Sequence, residues 1–557
     1  QVSNAQAETR ELSATERAIA EVWKQLLPGL ADPAPLDESF FDLGGHSILA
    51  TRLVFQLRHK LGVHVPLGLV FDAPTIAQLA AATEKISSGG TDFLVAAPDA
   101  AKENASSGDL DYAKDAQVLE SELPASFMRA TPAGEPRVVL LTGATGFLGA
   151  YVLADLLDKR RNHVQKVYVH VRANDAGSAQ RRLRDALAGR GLWREAWEQE
   201  GRVQAVVGDL SKPHLGLNDE DWAHLAKEVD VIVHNGALVH WVYPYSKLRA
   251  ANVLSTMAVM RLANEGRPKS VAFVSSTSAL DTEYYIRFSD TSAQGVLESD
   301  PLDGSASDLK SGYGQSKWVA ERLLMAAASR GLAAVIIRPG YVVGDSKTAV
   351  TNTDDFLFRL IKGSAQLGLI PDMNNTINMV PVDHVARVTS LAGLAATQWP
   401  ENRQTHAAVF HVTSHPTIRY NEFLGALIEY GWNVRPAEYL EWRTALENHV
   451  LASAAAGNTG LDADSNALFP LLHFVLDDLP TSTKSPELND ANTTKLLTEA
   501  HELDVVRGVD VPLVGLYLSW LVAVGFLPPP ASKSARTLPT LPEGAARQAM
   551  GRGSAAV

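Results

Sequence analysis

From Arg137 onward, short apolar runs typical of buried strands alternate with stretches of helical periodicity. Strands that alternate with helices predict a parallel sheet covered by helices on both faces, as in doubly wound Rossmann-type α/β folds. After about Pro381 the alternation loosens, so we expect a smaller, mainly helical C-terminal subdomain on the substrate side, ending in a helix around Leu513–Val524. The predicted strands are Val138–Leu141, Val167–Val171, Val203–Val207, Val231–Val233, Val271–Val274 and Ala334–Ile337.

A glycine-rich loop follows the first predicted strand and leads into a helix. In such a setting the first glycine permits a tight turn, the second lets the backbone approach a pyrophosphate, and the third allows close packing of helix on strand. The loop therefore predicts a dinucleotide site. Its candidate binding residues are Gly143, Thr145, Gly146, Phe147, Leu148 and Gly149.

The type of nicotinamide is indicated by the end of the second strand. Arg172 follows that strand, and Arg182 lies ten residues further along. An acid at this place would bind the ribose 2′-hydroxyl of NAD, whereas arginine suits the 2′-phosphate of NADP. We therefore predict NADPH. Asp175 is the nearby residue that argues for NADH, and either arginine taken singly fits a solvated surface charge.

A tyrosine and a lysine spaced for catalysis lie downstream of this loop. Tyr313 and Lys317 are four residues apart and so share one helix face. A phenol with a pKa of about 10 needs a neighbouring cation to work near neutral pH. A hydroxyl from the run Ser275–Ser278 would add a second donor for a developing alkoxide. From this run we choose Thr277.

The N-terminal part of the chain, residues 11–86, predicts a bundle of three helices at Glu16–Leu27, Ile48–Leu61 and Thr75–Lys85. Ser47 follows a Gly-Gly turn at the start of the second helix. Helix N-termini favour a bound phosphodiester, although most serines at such a place are only helix caps. Residues 87–130 are expected to be a flexible linker with a docking segment near its end, 131–530 the α/β region, and 531–557 a mobile tail.

Composition excludes several classes of protein. The chain has 557 residues and no cysteine, so disulfides and thiolate chemistry of its own are ruled out. A net charge of −13 argues against a nucleic-acid partner. The apolar runs are too short to predict a membrane span, and no signal-peptide pattern is present, so we expect the cytoplasm. His234, His240 and His384 lack the spacing of metal ligands, and no metal is predicted.

Several motifs together resemble known families. Residues 137–400 resemble the extended short-chain dehydrogenase/reductases, whose catalytic triad maps onto Thr277, Tyr313 and Lys317. Other positions that match that family are Asp209 and Leu210 near the adenine, Asn235-Gly236-Ala237 after the fourth strand, Arg338-Pro339-Gly340, and Pro381–Val385. Within that region, the run His240–Tyr245, followed by Leu248-Arg249 and Asn252-Val253, is similar to thioester reductases. In the N-terminal part, Asp37–Ala50 resembles the phosphopantetheine attachment motif, with Ser47 as the modified serine.

A carrier domain directly before such a reductase resembles the C-terminal half of carboxylic acid reductases. The resemblance implies NADPH-dependent reduction of an acyl thioester, held by a 4′-phosphopantetheine arm on Ser47, to the aldehyde. It also implies an adenylation domain before residue 1 and a phosphopantetheinyl transferase as partners. A terminal reductase of a peptide synthetase or an aminoadipate reductase would share every motif. A nucleotide-sugar epimerase or dehydratase would not need the carrier, and a non-enzymatic redox sensor would leave the triad without a purpose.

Overall fold

The chain folds as two compact units, one formed by Gln1–Asp109 with Arg443–Leu479 and the other by Leu110–Trp442 with Pro480–Val557. The computed structural model describes residues 12–27, 30, 32–40, 43, 47–63, 65, 69–70, 73–87, 110–130, 136–240, 243–399, 405–455, 466–468, 471–472, 475, 479–481, 483–531 and 536–545. Within these ranges, no helix has both the length and the apolar character needed to cross a lipid bilayer.

The N-terminal unit contains the predicted helical bundle, with helices at Ala14–Leu26, Ser47–Leu61 and Ile76–Ser87. The first helix begins with a capping box, in which the Ser13 hydroxyl accepts a hydrogen bond from the Glu16 N–H and the Glu16 carboxylate accepts one from the Ser13 N–H. Trp23 and Phe40 are fully buried, with ring centroids 5.1 Å apart. These contacts form the centre of a small core, and the structure confirms the three-helix prediction.

The second unit is built on a seven-stranded parallel sheet. Its strands, with those of the smaller sheets, are β1 (Arg137–Thr142), β2 (Val164–Val171), β3 (Val203–Val207), β4 (Val231–His234), β5 (Ser270–Val274), β6 (Ala334–Pro339), β7 (Tyr341–Val343), β8 (Leu369–Pro371), β9 (Thr376–Ile377), β10 (Met379–Pro381), β11 (Ala408–Val412), β12 (Ile418–Arg419) and β13 (Arg435–Ala437). The described helices of this unit are Tyr112–Ser121, Phe147–Ala154, Ala176–Ala188, Glu195–Gln199, Asp219–Glu228, Tyr245–Arg249, Ser255–Ala263, Glu283–Thr291, Gly312–Ser329, Phe356–Leu367, Val382–Leu394, Tyr420–Glu429, Ala491–Glu499 and Val511–Ala523, together with the start of Tyr439–Ala455.

The main sheet has the strand order β11-β6-β5-β4-β1-β2-β3. The chain moves outward from β1 through β3 and then returns to the other side of β1 with β4. The order therefore reverses between β1 and β4, and ligands of open α/β sheets bind at the carboxyl end of such a switch point. The structure confirms the predicted Rossmann-type fold and places all six predicted strands in this sheet.

The edge strand β11 differs from the sequence expectation. We expected the sheet to end before about Pro381, but the helix Val382–Leu394 packs on it and β11 then pairs in parallel with β6. All five residues of β11 are buried. A stretch of five residues that includes His411 has no periodicity that separates strand from helix, which is why the sequence did not reveal it.

The predicted boundaries at both ends of the α/β region also need correction. Residues 110–130, which were expected to be the end of the linker with its docking segment, belong to the second unit and contain the helix Tyr112–Ser121. The tail 531–557 was expected to be mobile, but its described residues 536–545 contact the rest of the second unit. Arg536 pairs with Glu429 at 2.9 Å, and the Ser519 hydroxyl donates a hydrogen bond to the Pro539 carbonyl.

The smaller subdomain combines helices with three two-stranded sheets. β10 pairs with β7 and β13 with β8 in parallel, whereas β12 pairs with β9 in the antiparallel sense. The C-terminal helix Val511–Ala523 is tied to the end of β7, because the Tyr517 hydroxyl donates to the Gly344 carbonyl at 2.8 Å. This arrangement agrees with the predicted mainly helical subdomain.

Candidate active site

The glycine loop after β1 is packed too closely to admit side chains. Gly143 has a φ of +76°, and a Cβ on it would lie 2.6 Å from the Cα of Gly236. A Cβ on Gly149 would lie 2.1 Å from the Gly143 carbonyl oxygen. The helix that starts after Gly146 has no side-chain cap, so the N–H groups of its first turn remain for an anion. The loop thus has the cradle that a dinucleotide pyrophosphate requires.

The other predicted members of this loop support the cradle from behind. Thr145 is half-buried, and Phe147 and Leu148 pack partly against the apolar core on one face of the sheet. The ring of Phe147 meets that of Tyr151 edge-on, with centroids 5.5 Å apart. The side chains therefore face the protein, and the backbone faces the cradle.

The loop after β4 forms the facing wall of the cradle. The Gly236 N–H donates to the Thr142 hydroxyl at 2.9 Å, and the Asn235 amide donates to the Gly143 carbonyl at 3.4 Å. Leu210 packs closely against Gly236, because a Cβ on Gly236 would lie 2.7 Å from the Cδ1 of Leu210. Ala237 continues this wall and is half-buried. The structure thus brings Asn235, Gly236 and Leu210 against the glycine loop, as expected from the sequence.

Two arginine side chains lie near the carboxyl end of β2. The Arg182 guanidinium donates to the Arg172 carbonyl at 2.7 Å, so the two exposed arginines are neighbours. Asp209 lies beside them. Burial raises the pKa of Asp209, but hydrogen bonds from Ser211 and the charges of Lys212 and Arg172 outweigh burial and lower it overall. The guanidinium groups of Arg172 and Arg182 are donors that fit a 2′-phosphate beside the adenosine.

Asp175, the residue that argued for NADH, is engaged elsewhere. Its carboxylate caps the helix Ala176–Ala188 by accepting the Ser178 N–H at 2.8 Å. That hydrogen bond, with a second from the Ser178 hydroxyl, lowers the pKa of Asp175. The carboxylate therefore has a structural partner within its own helix, which removes the main objection to NADPH.

Tyr313 and Lys317 lie on the first turns of the helix Gly312–Ser329, beside the carboxyl end of β5. The Lys317 ammonium donates to the Val274 carbonyl at 2.7 Å and lies 5.8 Å from the centre of the Tyr313 ring. Lys317 is only 3% exposed. Burial lowers its pKa to about 7, while the charge of Glu321 acts in the opposite direction. The structure therefore brings the predicted pair together around a partly charged lysine.

The hydroxyl groups that follow β5 have different partners, and only some of them lie beside the tyrosine–lysine pair. Ser275 is buried and donates to the carboxylate of Glu321, so it points away from Tyr313. Burial raises the pKa of Tyr313 to about 12, and a hydrogen bond with Ser276 acts against that rise. Thr277, half-buried, is the first residue of the 3-10 turn Thr277–Leu280. Its role stays a prediction, and Ser276 is a hydroxyl partner that sequence reasoning did not single out.

Asn252 links the two halves of the site. It lies in the π-helical turn Ala250–Leu254 and is 2% exposed. Its side chain accepts the Leu238 N–H at 2.7 Å and donates to the Leu238 carbonyl and to the Ser316 hydroxyl, both at 3.0 Å. Ser316 precedes Lys317. Asn252 therefore joins the loop after β4, the predicted cofactor wall, to the helix Gly312–Ser329, the predicted catalytic helix. In the sequence, Asn252 stands out only through the resemblance to thioester reductases, and no local pattern indicates this bridge.

The histidines considered as metal ligands occupy separate places. His234 lies 2.9 Å from the Thr142 hydroxyl, and burial lowers its pKa to about 3, so the ring is neutral. Burial lowers the pKa of His384 in the same way. Among the residues with a described position, no group of three or more His, Asp and Glu is arranged to hold a metal ion.

The predicted modification site is described only in part. The second carrier helix begins at Ser47, as expected from the sequence. Residues 44–46 and the side chain of Ser47 lie outside the described part of the chain. The attachment of the arm to this serine therefore stays a prediction.

A parallel sheet with a glycine cradle at its switch point, and a half-buried tyrosine beside a buried lysine, defines a nicotinamide-dependent oxidoreductase of the short-chain dehydrogenase/reductase type. Residues 141–389 match the family described as "Male sterility protein", and residues 17–83 match "Phosphopantetheine attachment site". The terminal R domain from the myxalamid PKS-NRPS biosynthetic pathway is 32% identical with a TM-score of 0.63, over 75% of this chain and all (100%) of that domain. The chain therefore belongs to the family of terminal thioester reductase domains, with a phosphopantetheine carrier domain in front of the reductase.

Two further relatives extend this comparison. L-2-aminoadipate reductase of Schizosaccharomyces pombe is 47% identical over 530 residues, which cover 93% of this chain and 36% of that protein. The chain thus spans about a third of that relative. A thiolation-reductase di-domain from an archaeal non-ribosomal peptide synthetase has the same fold, with a TM-score of 0.66 at 20% identity over 93% of this chain and 98% of the di-domain. The expected cofactors, NADPH and 4′-phosphopantetheine, are confirmed by the two family matches.

Proposed function

We propose that this chain is the carrier and reductase part of an L-2-aminoadipate reductase, which reduces a tethered aminoadipyl thioester to the aldehyde. The observation that carries the proposal is the 47% identity to the reductase of that name across both domains. From the sequence we placed carboxylic acid reductases first and aminoadipate reductases as the alternative. The relatives favour the alternative, and the reaction is the same for both.

The chain's own residues fit the two cofactors. The glycine cradle from Gly143 to Gly149 would hold the pyrophosphate, and Arg172 and Arg182 would bind the 2′-phosphate. Asp209 and Leu210 would border the adenosine. When bound, NADPH supplies a hydride and the phosphopantetheine arm on Ser47 supplies the thiol that carries the acyl group. An adenylation domain in front of residue 1 would load this arm after a phosphopantetheinyl transferase has installed it.

The reduction also needs a proton donor, and Tyr313 fits this role. Its raised pKa of about 12 keeps the phenol protonated at neutral pH, ready to donate to the oxygen of the reacting carbonyl. Lys317, held by the Val274 carbonyl, places positive charge beside the phenol and stabilises the phenolate that remains. A hydroxyl from Thr277 or Ser276 would donate a second hydrogen bond to the same oxygen.

Loaded carrier protein tests the proposal. A phosphopantetheinyl transferase transfers the aminoadipyl-phosphopantetheine group of aminoadipyl-coenzyme A to Ser47, and adenosine 3′,5′-bisphosphate leaves. Loss of NADPH absorbance and formation of aldehyde are then followed. We expect turnover with aminoadipyl faster than with adipyl or benzoyl groups. Equal rates for all three would contradict the aminoadipate assignment, and no turnover with any of them would contradict the thioester reductase.

Variants separate the steps. Ser47→Ala should bind NADPH normally but give no aldehyde from carried acyl groups. Tyr313→Phe should load normally and reduce at least about a hundredfold more slowly, since a positioned acid contributes about that much. Normal aldehyde formation by Ser47→Ala would show that the arm is attached elsewhere.

The solved peptide-synthetase reductase supports a second candidate, a terminal reductase that releases a peptide aldehyde. It is favoured by 32% identity over the full length of that domain. A loaded dipeptidyl group turned over faster than aminoadipyl would decide for this candidate.

A further inference from the structure

The segment between the two family matches contains a helix with an unexpected buried acid. Residues 84–140 lie outside both matches, yet Tyr112–Ser121 is a capped helix. Asp111 caps it by accepting the N–H groups of Ala113 and Lys114 at 3.0 and 3.1 Å. Asp115, one turn later, is only 5% exposed. A buried carboxylate is costly unless it is fully paired, so its partners are informative.

Asp115 is fully paired with the helix that leads into the active site. The Arg249 guanidinium donates two hydrogen bonds to it, from Nε at 2.7 Å and from Nη2 at 2.9 Å. The Tyr245 hydroxyl donates a third. Two-point binding by arginine fixes orientation as well as distance. The carboxylate therefore holds both ends of the five-residue helix Tyr245–Arg249.

That helix continues directly into the turn that carries Asn252. Because Asn252 contacts Leu238 and Ser316, a rotation of the helix Tyr245–Arg249 would move both the cofactor wall and the residue before Lys317. The chain of contacts runs from a carboxylate through one rigid helix to one amide, with each member buried or half-buried.

The same segment also contacts the catalytic helix itself. The Tyr112 ring meets that of Trp318 edge-on at 5.3 Å, and its hydroxyl donates to the Ser305 carbonyl at 2.8 Å. Trp318 follows Lys317. At the far end of the catalytic helix, the Phe127 N–H donates to the Arg330 carbonyl at 2.8 Å. The segment thus lies along the whole helix Gly312–Ser329.

We propose that Asp115 is a positioning residue of the reductase, which sets the geometry of Asn252 and Lys317 through Arg249 and Tyr245. It touches neither substrate nor cofactor. The proposal rests on the reductase activity proposed above. Its consequence is that the reductase begins at Leu110, ahead of the family match.

The first test compares Asp115→Asn with Asp111→Asn in the full-length chain. Both remove one charge from the same helix, but asparagine at position 111 is an equally good cap and should change nothing. Amide hydrogen exchange is measured at residues 236–254 and 312–318. We expect exchange there to be faster by about tenfold or more in Asp115→Asn only, since Arg249 loses its counter-charge and one of its two acceptor oxygens. Unchanged exchange, or the same change in both variants, would overturn the proposal.

The second test is kinetic and uses the loaded chain at saturating NADPH. Asp115→Asn should reduce the acyl group about tenfold to a hundredfold more slowly, because displacements of about 1 Å have that effect. Its Kd for NADPH should rise by a smaller factor than the rate falls, because the glycine loop that would hold the pyrophosphate is not part of this chain of contacts. Arg249→Lys, which keeps the charge but loses two-point binding, should behave alike, and Asp115→Glu should recover part of the rate. Equal loss of rate and of NADPH affinity would indicate a general folding defect and reject the positioning role. Wild-type protein that reduces nothing would reject the function, while the exchange result would still decide the positioning role.

Discussion

Replacing Lys317 by methionine is expected to stabilise the reductase while abolishing its turnover. Burial lowers the pKa of Lys317 from 10.5 to about 7. Each unit of difference between folded and unfolded states corresponds to about 1.4 kcal/mol, so the buried lysine costs the fold about 4 kcal/mol at pH 7. Loss of its hydrogen bond to the Val274 carbonyl removes about 1 kcal/mol. The net gain in the free energy of unfolding should be about 3 kcal/mol.

This gain should shrink as the pH rises. Because the folded-state pKa is the lower one, the unfolded chain binds more protons at Lys317 than the folded chain between pH 7 and 10.5. The stability of the wild type therefore rises with pH in this window, relative to the variant. At pH 9 the difference between the two proteins should be smaller by about 2 kcal/mol than at pH 7.

Urea unfolding at several pH values measures both effects. Tryptophan fluorescence reports mainly on the reductase, because Trp23 is the only one of the ten tryptophans in the N-terminal unit. Lys484→Met is the matched control, since Lys484 is exposed and belongs to the same unit, so its replacement should leave stability unchanged. A methionine variant that is less stable than the wild type at pH 7, or a difference that does not change with pH, would refute the reasoning.

Three further experiments, two of them with a matched control variant, test the site. Arg172→Gln should weaken NADPH binding about tenfold to a hundredfold, as expected for a lost charged hydrogen bond, and should leave NADH binding unchanged. The control Asp175→Asn should change the Kd of neither cofactor. If Arg172→Gln weakened the binding of both cofactors equally, the 2′-phosphate assignment would be contradicted. Gly149→Ala should lower both NADPH affinity and thermal stability, because its Cβ would lie 2.1 Å from a carbonyl oxygen. The control Gly425→Ala, whose Cβ would have nothing within 4 Å, should raise the free energy of unfolding by about 1 kcal/mol. Glu321→Gln should lower the free energy of unfolding by about 3–5 kcal/mol in urea, because its arginine partner is fully buried; a loss below about 1 kcal/mol would show that the pair is dispensable.

The sequence revealed the features that depend on local pattern. Strands β1 to β6 are apolar runs between helical stretches, and each appears where it was predicted. The glycine loop and the spacing of Tyr313 and Lys317 are equally local. They could be read because each requires a particular residue type at a fixed distance along the chain.

The features that sequence reasoning missed depend on distant contacts. Asp115 is buried because it meets Arg249, which is 134 residues away, and nothing in its own helix predicts this. The two serines before Thr277 are equivalent in sequence, yet Ser275 donates to Glu321 while Ser276 is hydrogen-bonded to Tyr313. Which side of a loop a hydroxyl faces is fixed by tertiary packing and has no periodicity in the sequence.

The position of β11 decides where the protein can be cut. The family match ends at residue 389, inside the helix Val382–Leu394 and before β11. A chain trimmed there would expose the unpaired N–H and C=O groups of β6, whose residues are all buried in the intact sheet. Such a bare edge recruits strands from other molecules, so the shortened protein should aggregate. Soluble expression of the reductase alone therefore requires the chain through at least Val412.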